Sequence, residues 1–234
     1  MYSYSFKNNF LKEEKIMPGI IYHLAFAEEV YRHITKKNAL NQIEFLSGNL
    51  IPDLVVSENK KRSHYRVAAS FPGFEIPNMK EVKKDLYDLN NSLQMGMYCH
   101  LYLDYHFIET FLIPEFIWDL KNKLVINPRN GKRWNVEQFF AKASKGGILY
   151  NGYTQINKKM IEDGHIDMET INMMPDVLPL TGNPVFDNRR EKTWRDELNG
   201  YLAEEAPYTG ETFDYSRLWN SISSIAKKFV LEEL

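Results

Sequence analysis

His100 and Asp104 stand four residues apart inside the apolar stretch SLQMGMYCHLYLDYHFIETFLI. On a helix that spacing puts imidazole and carboxylate on one face, about 5–6 Å apart at Cβ, where they can share one cation. A carboxylate in so apolar a helix is costly unless it is paired or bound to a metal. Two readings meet this pattern equally well: a metal-ligand pair, and a buried His–Asp hydrogen bond that fixes packing. Upstream, Asp53 follows Gly48 and Pro52 in FLSGNLIPDLV, and His64 follows in KKRSHYR. Alone, Asp53 reads as a helix cap or Asx-turn and His64 as a loop histidine beside Lys60, Lys61, Arg62 and Arg66. His23 lies in an apolar-periodic helix, where a single histidine is more often a core residue. The set changes the weighing, because three histidines and two aspartates offer the nitrogen and oxygen donors that zinc or manganese accepts.

These residues need elements to hold them. After the punctuation Met17-Pro18-Gly19, the segment IIYHLAFAEEVYRHITKK has near-helical apolar spacing, with Lys36 and Lys37 at its C-terminal end. Residues 40–50 suit a short helix ending at Gly48, followed by a turn at Ile51-Pro52-Asp53. Residues 57–78 show no period and read as a long irregular segment, a kind of loop that often carries function. From Asn78 to Ile113 two helices are expected, meeting near Asn90-Asn91. The second, roughly 92–113, is apolar nearly all round and is expected to be the buried central helix, interrupted or kinked at Pro114. Residues 122–135 read as a turn-rich connection. Helical patterns resume at 136–145, 148–163, 189–205 and 214–234, and convincing strand alternation is missing. The expected fold is all-α, a compact multi-helix domain over 17–234, with residues 1–16 as a dispensable N-terminal arm.

Composition sets the bounds. The chain has 234 residues, with 44% hydrophobic and 14% aromatic content, enough to bury one substantial core. Twenty-nine Lys and Arg against 31 Asp and Glu give a net charge of −2, so no basic field suggests a stable nucleic-acid partner. One cysteine, Cys99, excludes an intrachain disulfide framework. The first sixteen residues contain no apolar run of signal-peptide length, and no run is long enough to span a membrane. A cytoplasmic location is therefore expected.

The segments MPGIIYHLAFAEEV, FLSGNLIPDLV, KRSHYR and GMYCHLYLDYHF, in that order, resemble the zinc-dependent phospholipase C family, part of a superfamily shared with zinc single-strand nucleases. The resemblance runs from Met17 to about Pro114. It implies an all-α fold around a metal cluster, with His23, Asp53, His64, His100 and Asp104 as ligands. Secreted members of that family also use an N-terminal tryptophan and further ligands, a histidine and an H-x-x-x-E pair, beyond the core helix. Here His106 falls about 200° from Asp104 around the helix, and His165 with Glu169 lies in a turn-like segment. One or two ions are therefore expected rather than three.

The function implied is a metal-dependent phosphodiesterase or phosphoesterase using a zinc-bound water on a small phosphoester substrate. Zinc is the expected ion, with manganese possible. Asp53 would bind metal and orient the water, while Lys61, Arg62 and Arg66, with neighbouring Lys60, would steady the phosphate. Two alternatives stand beside it: a non-catalytic all-α module with a structural metal or none, and an HD-type phosphohydrolase. The latter needs an adjacent His-Asp pair, which the sequence lacks.

Overall fold

The computed structural model describes residues 19–34, 40–190, 193–203 and 207–234. The N-terminal arm, Met17-Pro18 and the Lys36-Lys37 helix end lie outside these residues. Helix α1 (Ile20–His33) is buried on nearly every side, from Ile20 to Glu28 and again at Val30. Helix α2 (Gln42–Leu54) starts where the Asn41 side chain accepts a hydrogen bond from the Glu44 amide at 3.0 Å. A 3₁₀ turn (Ser57–Asn59) and α3 (Lys60–Ser63) follow, then the hairpin β1 (Arg66–Ala68) and β2 (Glu75–Pro77). Helix α4 (Met79–Leu86) leads to α5 (Ser92–His106), capped by Asn91, which accepts from the Gln94 amide at 3.1 Å.

Helix α5 is the buried central helix, and every residue from Met95 to Asp104 is buried. It widens into a π-helical turn over Phe107–Leu112 before α6 (Ile113–Glu115). Pro114 has no N–H for the carbonyl one turn back, and the wider turn ahead of it carries the chain through without a break. A three-stranded antiparallel sheet, β3 (Ile117–Asp119), β4 (Leu124–Ile126) and β5 (Arg133–Asn135), then precedes α7 (Val136–Phe140), α8 (Ile148–Glu162), α9 (Met168–Met173), α10 (Pro184–Asp187), α11 (Trp194–Ala203) and α12 (Tyr215–Glu233).

The fold is thus mostly helical with two small sheets, and three expectations need correcting. Strands do occur, at residues 66–77 and 117–135. Each is three residues long, too short for an alternating pattern to register. Residues 57–78 are accordingly built of short elements rather than being irregular. Helix α2 does not stop at Gly48 but runs through Gly48 and Pro52 to Leu54. Gly48 is there for packing. A Cβ on Gly48 would fall 1.9 Å from the Leu93 carbonyl oxygen, and one on Gly96 would fall 2.0 Å from that of Phe45. The two glycines let α2 and α5 cross backbone to backbone, which sets the last turn of α2 beside His100.

Helices α1 and α12 close the core from the other side. Phe26 meets Phe229 edge to face at 6.4 Å, and Ser223 Oγ donates to Glu29 Oε1 at 2.7 Å. No described helix is long and apolar enough to cross a membrane.

Candidate metal centre

Four elements deliver the five residues singled out from the sequence. Helix α1 carries His23, the last turn of α2 carries Asp53, the residue after α3 is His64, and α5 carries His100 and Asp104. All five are buried, Asp53 being the most exposed at 4%. Their donor atoms face one another. Asp104 Oδ1 lies 3.5 Å from His23 Nε2. Its Oδ2 lies 3.5 Å from His100 Nε2 and 3.9 Å from His64 Nε2. Asp53 turns Oδ1 to His64 Nε2 at 3.7 Å and Oδ2 to His23 Nε2 at 4.0 Å. The His23 and His100 rings stack with centroids 3.6 Å apart and planes 10° from parallel.

The outer faces of two imidazoles are fixed by hydrogen bonds. His100 Nδ1 lies 2.7 Å from the Asn49 carbonyl oxygen, so it carries the proton and donates it there. His64 Nδ1 lies 3.1 Å from the Lys60 carbonyl oxygen and 2.9 Å from Ser63 Oγ. In both rings this tautomer leaves the Nε2 lone pair facing the cluster, the arrangement a histidine ligand requires. The Asn49 side chain, turned so that both ends of its amide are satisfied, donates to the His23 carbonyl at 2.8 Å and accepts from the His100 amide at 3.2 Å. It ties α1 to α5 at the level of the cluster.

Electrostatics point the same way. Burial, reinforced by the neighbouring His100, lowers the His23 pKa to about 3. Burial also lowers His64 to about 3 against the pull of Asp53. Neutral imidazoles and two carboxylates make a site that attracts a cation, and Lys60 answers part of that demand, its Nζ 2.8 Å from Asp53 Oδ1.

Among the described residues, both His23 nitrogens, His100 Nε2 and both Asp104 oxygens are buried without a hydrogen-bond partner. Orphaned groups of this kind cost about 1–3 kcal/mol each, so their convergence calls for something to satisfy them. Contacts of 3.5–4.0 Å are too long for good hydrogen bonds. They lie close to the spacing of about 3.3 Å between neighbouring donors around a tetrahedral ion with bonds near 2.0–2.1 Å. Two triads, His23–His100–Asp104 and Asp53–His64–His100, each hold donor atoms within 4.8 Å of one another. The donor set suits zinc, and its oxygen content also admits manganese.

The remaining candidates lie elsewhere. Lys61 is exposed and pairs with Glu75 at 3.5 Å, Arg62 is exposed, and Arg66 is half-buried on β1. Of these four basic residues, Lys60 is the one paired with a carboxylate of the cluster, that of Asp53. His106 packs against Tyr102 and Tyr105, and His165 stacks on Trp219 at 3.5 Å, so neither joins either triad. Glu169 sits in the first turn of α9. Cys99 is buried, and burial pushes its thiol pKa well up. His33 bonds Glu29 at 3.2 Å on the outer face of α1. Sequence reasoning passed over Asn49, although an asparagine within an otherwise apolar run is a usable sign of a buried polar role.

A comparison with family models, curated proteins and solved structures finds no match for the chain, so the functional reading rests on these residues.

Proposed function

We propose that the protein is a zinc-dependent hydrolase of phosphoric esters, of the kind represented by phospholipase C and the zinc single-strand nucleases. The observation that carries this reading is the meeting of His23, Asp53, His64, His100 and Asp104 in one buried cluster, in which His23, His100 Nε2 and both Asp104 oxygens have no hydrogen-bond partner among the described residues. These five residues, from chain segments up to 81 positions apart, would hold the ion. When bound, such an ion supplies Lewis acidity and lowers the pKa of a coordinated water towards 7. The protein residues do the rest. Asp104 offers one oxygen to each side of the cluster. His100 and His64, with their outer nitrogens committed to backbone carbonyls, hold their rings against rotation. Asp53, the least buried of the five and paired with Lys60, would accept a proton from an attacking water.

Complete burial of the donors favours a second reading, in which the ion is structural and performs no reaction. Metal analysis combined with hydrolysis of bis(p-nitrophenyl) phosphate and p-nitrophenyl phosphorylcholine tests both. Zinc content with chelator-sensitive turnover, lost in His100→Ala, supports the hydrolase. Zinc content without turnover of any phosphoester supports the structural role, and absence of bound metal overturns both.

A further inference from the structure

The basic side chain at the cluster is held in place by the fold. Lys60 Nζ donates to Asp53 Oδ1 at 2.8 Å, to the Asp53 carbonyl oxygen, and to the Pro52 carbonyl oxygen at 3.5 Å. The two carbonyls belong to the last turn of α2, whose acceptors have no helical partner and whose end carries partial negative charge. These contacts direct the ammonium at the end of α2 and its carboxylate. Lys60 is thus a fixed charge at the cluster, and its protons are committed to α2 instead of an arriving phosphate.

Two features limit what else the cluster can hold. The triads share His100, and with Nδ1 committed to Asn49, His100 has a single nitrogen to give. The Asp53 oxygen facing His64 is the one that Lys60 occupies. Charge adds a third limit. With ligating imidazoles neutral, as metal binding requires, one divalent ion leaves the buried cluster with a single net positive charge. A second ion would raise that to three in a largely buried cluster, where uncompensated charge is costly.

We propose that Lys60 acts as the built-in second cation of this centre: by neutralising Asp53 it restricts the site to one divalent ion, where the acidic and histidine donors could otherwise recruit two. The inference rests on the metal-site reading above. It makes Lys60 a positioning residue, acting on metal number and on Asp53.

The test is a titration of metal-free, full-length protein with cobalt(II), read by its visible absorption, alongside zinc content after gel filtration. The wild-type chain should saturate at one equivalent. Lys60→Met, which frees Asp53 but leaves the shared His100, should saturate at two with the second equivalent bound more weakly than the first, and Lys60→Arg, which restores the positive charge, should return to one. Saturation of the wild-type chain at two equivalents overturns the proposal, as does a folded Lys60→Met that still saturates at one. If Lys60→Met fails to fold, the wild-type end-point decides: one equivalent supports the proposal and two refutes it. A wild-type chain that binds no ion brings down the metal-site reading itself, an outcome distinct from failure of the Lys60 assignment.

Discussion

His100 Nδ1 and the Asn49 carbonyl oxygen are 2.7 Å apart, a bond across the α2–α5 crossing that commits the outer face of the ring and leaves Nε2 as its one donor toward Asp104. His100→Ala removes that donor while leaving the buried Asp104 carboxylate in place. The variant is expected to lose bound zinc and, compared with zinc-loaded wild type, about 3–5 kcal/mol of stability, the typical effect of stripping one partner from a buried charge. Metal content and urea denaturation check this. His33→Ala is the control. It removes a partly exposed contact with Glu29, and should change stability by no more than about 1 kcal/mol with zinc content intact.

Metal removal alone should be visible as a melting shift. An ion present at about a thousand times its dissociation constant adds roughly 4 kcal/mol to the folded state. For a chain of this size that corresponds to a rise of roughly 8–16 °C. Differential scanning calorimetry with and without a chelator should show this difference, restored on adding zinc. Equal melting temperatures would mean that the cluster holds no ion.

Acid should destabilise the metal-free protein. Unfolded, His23 and His64 take up protons near the usual 6.5, but in the fold their pKa values lie at about 3. Between those values the unfolded chain binds more protons, so stability falls as pH drops from about 6.5 towards 3. Urea midpoints of the metal-free chain at pH 7 and pH 4.5 should show the loss. Zinc binding at pH 6 should release almost no protons from these two rings, because they are already neutral. Calorimetry in buffers of different ionisation enthalpy reads that number, and release near two protons would contradict the buried geometry.

The glycine crossing gives the fourth prediction. Gly48→Ala or Gly96→Ala drives a methyl group to within about 2 Å of a backbone carbonyl, so α2 and α5 must separate. Overpacking of this sort costs about 1–3 kcal/mol. It should also weaken zinc binding, since Asp53 moves with α2 and His100 with α5. Gly200→Ala, in α11 where an added Cβ meets nothing within 4 Å, should be neutral or stabilising by up to about 1 kcal/mol.

The part of the fold legible in the sequence was the part with strong helical period. The central helix, its start near Asn91 and the junction with α4 follow from continuous apolar character and an asparagine cap. Helix α2 misled because Gly48 and Pro52 are ordinarily stop signals. Their meaning here depends on α5, which a local reading does not include. That His23, Asp53, His64, His100 and Asp104 would cluster was legible through spacing on α5 and through motif order elsewhere. Lys60 stood among three other basic residues with nothing local to separate it from Lys61, Arg62 or Arg66. What distinguishes it is the end of α2, brought to it by the fold.

The pairing of Glu29 with Ser223 spans 194 positions. Chain synthesis delivers all five donors by residue 104, yet α1, which carries His23, also packs against α12, the last helix made. Closing so long a loop carries an entropic cost that local helices avoid. One face of α1 is therefore closed by the last helix of the chain, while its His23 face meets α2 and α5 directly.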